Sequence, residues 1–150
     1  MNVTATSIDI AAPAAAIYDL AAATARWPLI LPHYRYVRVH QRDGMRQIVE
    51  MAAWRDIFPL HWVAEQINDA ERPHISFRHI AGPTRGMDVE WRFERTRAGT
   101  RVTIVHRLEF AFPVLAGFVG KYIVANYFVA GVAARTLARM KCIAEAAAGG

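Results

Sequence analysis

Two histidines stand where a sheet-forming sequence has no evident need of them. In PHISFRHIAGPTRGMDVEWRFERT, residues 73–96, Ile75, Phe77 and His79 alternate onto one side, and Met87, Val89, Trp91 and Phe93 onto one side after the turn. Ser76, Arg78, Asp88, Glu90, Arg92 and Glu94 take the other side. A period of two predicts a β-hairpin with one apolar and one charged face. In GTRVTIVHRLEF the same test aligns Val102, Ile104, His106, Leu108 and Phe110. A neutral imidazole gives or takes a proton near neutral pH. His79 and His106 are therefore candidates for catalytic proton transfer; the alternative for each is a core histidine satisfied by a hydrogen bond. Pairing around turns at Gly82–Gly86 and Ala98-Gly99 sets His79 beside Val89 and His106 beside Trp91, about 10 Å apart laterally. With no third ligand between them they make no metal site, and nothing in the sequence calls for a cofactor.

Gln66 and Asn126 are the other inward polar residues. Each is suited either to bind a ligand carbonyl or hydroxyl or to bridge sheet and helix, since a buried amide needs partners. Tyr34, Trp62, Phe77 and Trp91 are expected to form aromatic walls, which suit flat polycyclic or isoprenoid ligands. Glu50 is half-buried if Ile48 and Ala52 face inward and solvated if Val49 and Met51 do. Arg85, in the Gly82–Gly86 turn, either closes a cavity mouth over an anionic group or is a solvated loop charge.

The elements that position these residues follow from the same patterns. NVTATSIDI reads as a first strand ending before Pro13, which opens a short helix over residues 13–25; a second short helix covers residues 26–32. Six strands follow at Tyr34–Arg42, Gln47–Trp54, Leu60–Asn68, His74–Ala81, Met87–Thr96 and Arg101–Phe112. A long helix over Val114–Ala148 closes the chain. Its inward stripe holds Val119, Tyr122, Ile123, Asn126, Ala130, Ala133, Leu137, Met140 and Ala144, with Lys121, Arg135 and Arg139 opposite. This order predicts a single α+β domain over residues 1–150: a curved antiparallel sheet of about seven strands wrapped around the C-terminal helix, with two short helices between strands 1 and 2. A curved sheet gripping a helix leaves a space between them.

In AAPAAAIYDLAAATARWPLILPHY, LHWVAEQI, HISFRHIAGPTRGMDVEWRF and GTRVTIVHRLEF the chain resembles the START-like superfamily with its helix-grip fold. More narrowly it resembles bacterial polyketide cyclase/aromatases and coenzyme Q-binding START-like proteins. The resemblance covers essentially the whole chain. It implies that Trp27 and Tyr34 border the cavity and that Trp62, Ala64, Gln66, His79 and Trp91 point into it. Three positions depart from the aromatase pattern: Ala64 replaces a hydroxyl residue, and Gln66 and His79 each replace an arginine. The implied function is a cofactor-free cyclase that binds a poly-β-ketone and directs its aldol cyclisation and dehydration. The runner-up is a non-catalytic lipid or isoprenoid-quinone carrier, which needs no histidine chemistry.

The 150 residues carry a formal charge of +5 and are 54% hydrophobic. The arginines are interleaved with acids, so the basic, aromatic YRYVRVHQR, residues 34–42, reads as a strand face, and no nucleic-acid partner is expected. One cysteine, Cys142, rules out an internal disulfide and favours a reducing compartment; with no signal-like opening, a cytoplasmic location is expected. Residues 112–133 approach the length of a membrane span, but Lys121 and Asn126 interrupt them. Val124 and Phe128 form an apolar spot between Lys121 and Arg135, which fits a membrane surface, an acyl carrier protein or a second copy of the chain in a homodimer.

Overall fold

The structure is a computed structural model. It describes residues 2–108 and 116–149, and of residues 2 and 116–128 the backbone only. Strand β1 spans Asn2–Ile10. Helix α1 follows at Ala14–Ala22, with Pro13 at its N-cap position and Ala14, Ile17, Tyr18 and Ala21 buried at helical spacing. A 3-10 turn at Thr24–Arg26 leads into α2, Trp27–Ile30, where Pro28 sits at the helix start. Six strands then run without interruption: β2 Tyr34–Asp43, β3 Arg46–Arg55, β4 Phe58–Asp69, β5 His74–Ala81, β6 Asp88–Arg95 and β7 Thr100–Leu108. Helix α3 spans Ala116–Gly149.

The strands form one seven-stranded sheet in the order β1-β7-β6-β5-β4-β3-β2, and every neighbouring pair is antiparallel. This is the helix-grip architecture expected above. One face of the sheet packs on α3 through Val129, Val132, Ala133, Leu137, Met140 and Ala144, which are buried together with Val49, Met51, Ile75, Val102 and Ile104. Lys141 donates to the backbone carbonyl of Asp9, and the backbone N–H of Ala11 donates to Glu145, so the C-terminal turns of α3 are tied to the end of β1.

The register differs from expectation in both hairpins that carry the histidines. His106 faces Val89 rather than Trp91. Phe77, not His79, faces Val89. His79 instead exchanges backbone hydrogen bonds with Gly86 and Met87. The first difference has a packing cause. Thr96 and Gly99 hydrogen-bond each other, so Arg97-Ala98 is the apex of that turn. Gly99 sits beside it because a Cβ there would lie 2.2 Å from the Ile10 carbonyl oxygen. In the second, Gly86 and Met87 together oppose His79, a bulge that consumes an extra residue of the turn. Both pairings move by two residues, so the inward alternation survives.

A further tight turn, Asp56-Ile57, joins β3 and β4, which sequence patterning had left unmarked. Asp56 adopts a positive φ of 57°, and its carboxylate accepts from Arg135 of α3 at 3.1 Å.

Candidate active site

The sheet and α3 enclose a cavity of about 60 Å³. The five aromatic residues expected to wall it, Trp27, Tyr34, Trp62, Phe77 and Trp91, all line it, as do His79 and His106. Trp27 organises the wall. Its ring centroid lies 5.0 Å from Tyr34, 6.3 Å from Phe77 and 5.9 Å from Trp91, and its indole N–H donates to the Leu20 carbonyl, so its one polar atom is occupied.

His79 comes from β5, opposite Ala64 of β4. Its ring stacks on Trp62 at 5.6 Å and 8°, and its Nδ1 lies 2.6 Å from the Thr84 hydroxyl. Nε2 is therefore the nitrogen left for a ligand. Burial, and then the neighbouring His106, push the His79 pKa down to about 3. His106 comes from β7 and is 9% exposed. Burial lowers its pKa to about 4. Its Nδ1 is enclosed and has no hydrogen-bond partner among the described residues. Both rings are neutral at pH 7.

Two polar lining residues escaped the sequence reading. Thr84 lies in the turn after β5, and Thr136 lies on α3; both line the cavity. Thr136 was legible in principle, because it shares the helical stripe of Val132, Ala133 and Met140. Its hydroxyl donates to the Val132 carbonyl at 2.8 Å. Having one proton, it must accept from His33 Nε2, 2.9 Å away, so His33 carries its proton on Nε2. Burial, and next Arg135, lower the His33 pKa to about 4. Burial raises the Tyr34 phenol well above its ordinary range, against an opposing pull from Thr136.

Gln66 is fully buried, but it is not among the residues lining the cavity. Its amide joins a separate cluster under the first helices: Oε1 accepts from Thr24 and Gln47, and Nε2 donates to the Ala22 carbonyl and to Asn68. Val49 and Met51 face inward, which puts Glu50 on the outer face of the sheet. There it is held rather than freely solvated. Its carboxylate takes His61 at 2.9 Å, His40 at 2.8 Å and Tyr36 at 3.1 Å, with Arg38 at 3.6 Å. The two histidines, His61 first, hold its pKa down at about 2. Arg38 and His40 of the basic β2 stretch thus serve this outer cluster. Arg85 is exposed in its turn and does not line the cavity. Asn126, Val124 and Phe128 lie outside the residues whose side chains are described. Among the described residues, no group of three or more His, Cys, Asp or Glu side chains is arranged to hold a metal ion, and no helix is long and apolar enough to cross a membrane.

Residues 10–125 match the family model described as polyketide cyclase / dehydrase and lipid transport. The chain belongs to that family. A polyketide cyclase / dehydrase relative, the granaticin polyketide synthase bifunctional cyclase/dehydratase of Streptomyces violaceoruber, is 31% identical over 108 residues. That match takes in 70% of this chain and 33% of the relative, so the chain spans about a third of that protein's length. The same fold is seen in the Zhui aromatase/cyclase of a Streptomyces species, with a TM-score of 0.83 at 20% identity over 96% of this chain and 93% of that one. A START superfamily protein of Mycobacterium smegmatis superposes with a TM-score of 0.71 at 12% identity, over 95% and 97% of the two chains. The helix-grip fold of this polyketide cyclase / dehydrase family member is thus shared with START-type proteins.

Proposed function

We propose that the chain is a polyketide cyclase/aromatase-type enzyme. It takes a poly-β-ketone into the cavity between sheet and α3 and directs its aldol cyclisation and dehydration. The observation that carries this reading is the pairing of two neutral, buried imidazoles in one aromatic cavity, His79 tied to Thr84 and His106 on the same cavity wall. The family and the granaticin relative support it.

In this mechanism His79 Nε2 accepts a proton from an α-carbon while that carbon bonds to a carbonyl carbon elsewhere in the chain. The resulting alkoxide takes the proton back, which leaves a β-hydroxy ketone and a neutral imidazole. Dehydration repeats the transfer: a second α-proton moves to His79, the C–O bond breaks, and the proton leaves with the hydroxide as water. His106 holds the reacting oxygen by a hydrogen bond. Burial keeps the His79 imidazolium scarce, so its charge exists only beside the alkoxide that formed with it. Most of the acceleration then comes from confining one reactive conformer, a source worth on the order of 7–11 kcal/mol when alignment is good. The small ligand is delivered by an acyl carrier protein or released from one.

Reconstitution with a carrier-bound poly-β-ketone, read by mass spectrometry of the products, tests this. The native protein should redirect spontaneous cyclisation, and His79→Ala and His106→Ala should return products toward the protein-free pattern. Identical products with and without protein overturn the reading.

A further inference from the structure

Residues 24–35, 53–60 and 129–139 meet at one end of the fold. Arg139 donates to the Ile30 carbonyl, Arg135 to the Asp56 carboxylate, and the backbone N–H of Trp54 to the His33 carbonyl. These three segments hold five arginines, Arg26, Arg35, Arg55, Arg135 and Arg139, against one acid, Asp56. That is a formal +4 out of the +5 of the whole chain, so the remainder is close to neutral. The same end carries the two most exposed large apolar side chains among the described residues: Leu29 of α2 at 82%, and Ile57 of the turn between β3 and β4 at 80%. Phe58 and Trp54, beside Ile57, are exposed as well. A single exposed aliphatic residue is ordinary, but several at one end, under an excess of one charge, mark a contact surface.

The charge requires an anionic partner, and the apolar tips require one that takes in side chains. Leu29 and Ile57 project from separate elements, a short helix and a hairpin turn. A protein partner has to offer a matching socket for each, whereas a lipid interface accepts side chains at any spacing. The arginines point the same way. Arg35 lies 5.0 Å over the Trp54 ring, Arg55 and Arg135 share Asp56, and Arg139 holds the Ile30 carbonyl. They act on their surroundings chiefly as a positive field, which an anionic headgroup layer answers without specific pairing. An exposed Trp beside arginines is also the composition of a membrane-interface anchor. We propose that this end of the fold docks on an anionic lipid surface, with Leu29 and Ile57 inserted at the headgroup boundary and the arginines against the headgroups. The docked face backs onto the cavity: His33 lines its groove, Thr136 lines the cavity, and 2.9 Å separates the two side chains. The proposal goes beyond the cyclase reading and does not depend on it.

Flotation of the full chain with vesicles tests it, using phosphatidylcholine alone and phosphatidylcholine mixed equally with phosphatidylglycerol. Binding should be at least tenfold tighter to the anionic vesicles and should weaken as salt is raised. Trp54 reports the geometry, because Trp27, Trp62 and Trp91 are buried. Native fluorescence should shift to the blue on anionic vesicles, and Trp54→Phe should abolish the shift. Leu29→Ser/Ile57→Ser, at positions too exposed to disturb the core, should lower anionic-vesicle affinity at least tenfold without changing charge. Arg26→Gln should lower it severalfold. Met45→Ser, an exposed apolar residue of the turn between β2 and β3, should leave it unchanged. Equal affinity for both vesicles, no binding to either, or unchanged affinity in the double variant overturns the proposal. So does an equal loss in Met45→Ser. Binding of an acidic carrier protein that the double variant loses, with no binding to vesicles, also overturns it and gives the surface to a protein. Each of these failures leaves the cyclase reading, which product analysis tests, where it stood.

Discussion

The hydroxyl of Thr84 lies 2.6 Å from Nδ1 of His79, across a turn of five residues, and both side chains are buried. Between this bond and the Trp62 stack, the His79 ring has one orientation, and that orientation reserves Nε2. Thr84 is then a positioning residue. Thr84→Val should leave the fold intact but release the ring, seen as a mixture of imidazole tautomers in nitrogen-15 spectra where the native protein shows one. Thr84→Ser should restore the single form. A native-like tautomer in Thr84→Val contradicts the role.

The buried imidazoles also set how stability responds to acid. His79 and His106 have folded pKa values near 3 and 4, against an ordinary 6.5. Between those limits the unfolded chain binds protons that the folded chain does not, so stability is complete above pH 6.5 and falls as pH drops toward 4. The slope for each group is about 1.4 kcal/mol per pH unit. His33 acts in the same direction. Glu50 adds a separate loss at lower pH: its contribution is present above the ordinary carboxylate value of 4.5 and fades as pH falls toward 2. Urea midpoints measured from pH 7.5 to 4.5 should decline steadily, and the decline should flatten in a His79→Phe/His106→Leu double variant. An equal slope in native and double-variant protein contradicts the neutral-imidazole picture.

Alternation alone located the strands and put both histidines inside, because burial on one face leaves a period of two that no local feature disguises. It did not locate the register. Gly99 looks like a turn apex in sequence, yet it is a glycine because β1 passes too close for a side chain. Glu50 was undecidable because Ile48, Val49, Met51 and Ala52 are apolar on both faces, and an outer cluster of His40, His61 and Tyr36 removes the usual signature of a solvated carboxylate. Thr84 was invisible for another reason: its partner is reached through a turn, where neither period applies.

Gln66 shows how a correct burial expectation can mislead about role. It is inward, but its neighbours are Thr24, Gln47 and Asn68, beneath α1. Gln66→Leu strands the Thr24 hydroxyl proton and the Ala22 carbonyl, and should cost about 1–3 kcal/mol. Affinity of the cavity for a phenol should not change. A loss of phenol binding without loss of stability contradicts this assignment and returns Gln66 to the ligand.

Gly82 and Gly86 bracket the turn that carries Thr84, and they should respond differently to alanine. Both have positive φ, 106° and 93°. At Gly86 an added Cβ meets nothing within 4 Å, so Gly86→Ala carries only the backbone penalty, on the order of 1–3 kcal/mol for a rare conformation. At Gly82 it would lie 2.7 Å from the His61 carbonyl oxygen and 3.1 Å from the Trp62 Cα. Neither is a flexible side-chain end, so the turn must lift off β4. Gly82→Ala should therefore destabilise more than Gly86→Ala in urea titrations. Because Trp62 supports the His79 ring and Thr84 rides on the same turn, it should also produce the mixed His79 tautomers expected of Thr84→Val. If the two glycine variants cost the same and His79 keeps one tautomer in both, the close contact with β4 is not what holds the turn over the cavity.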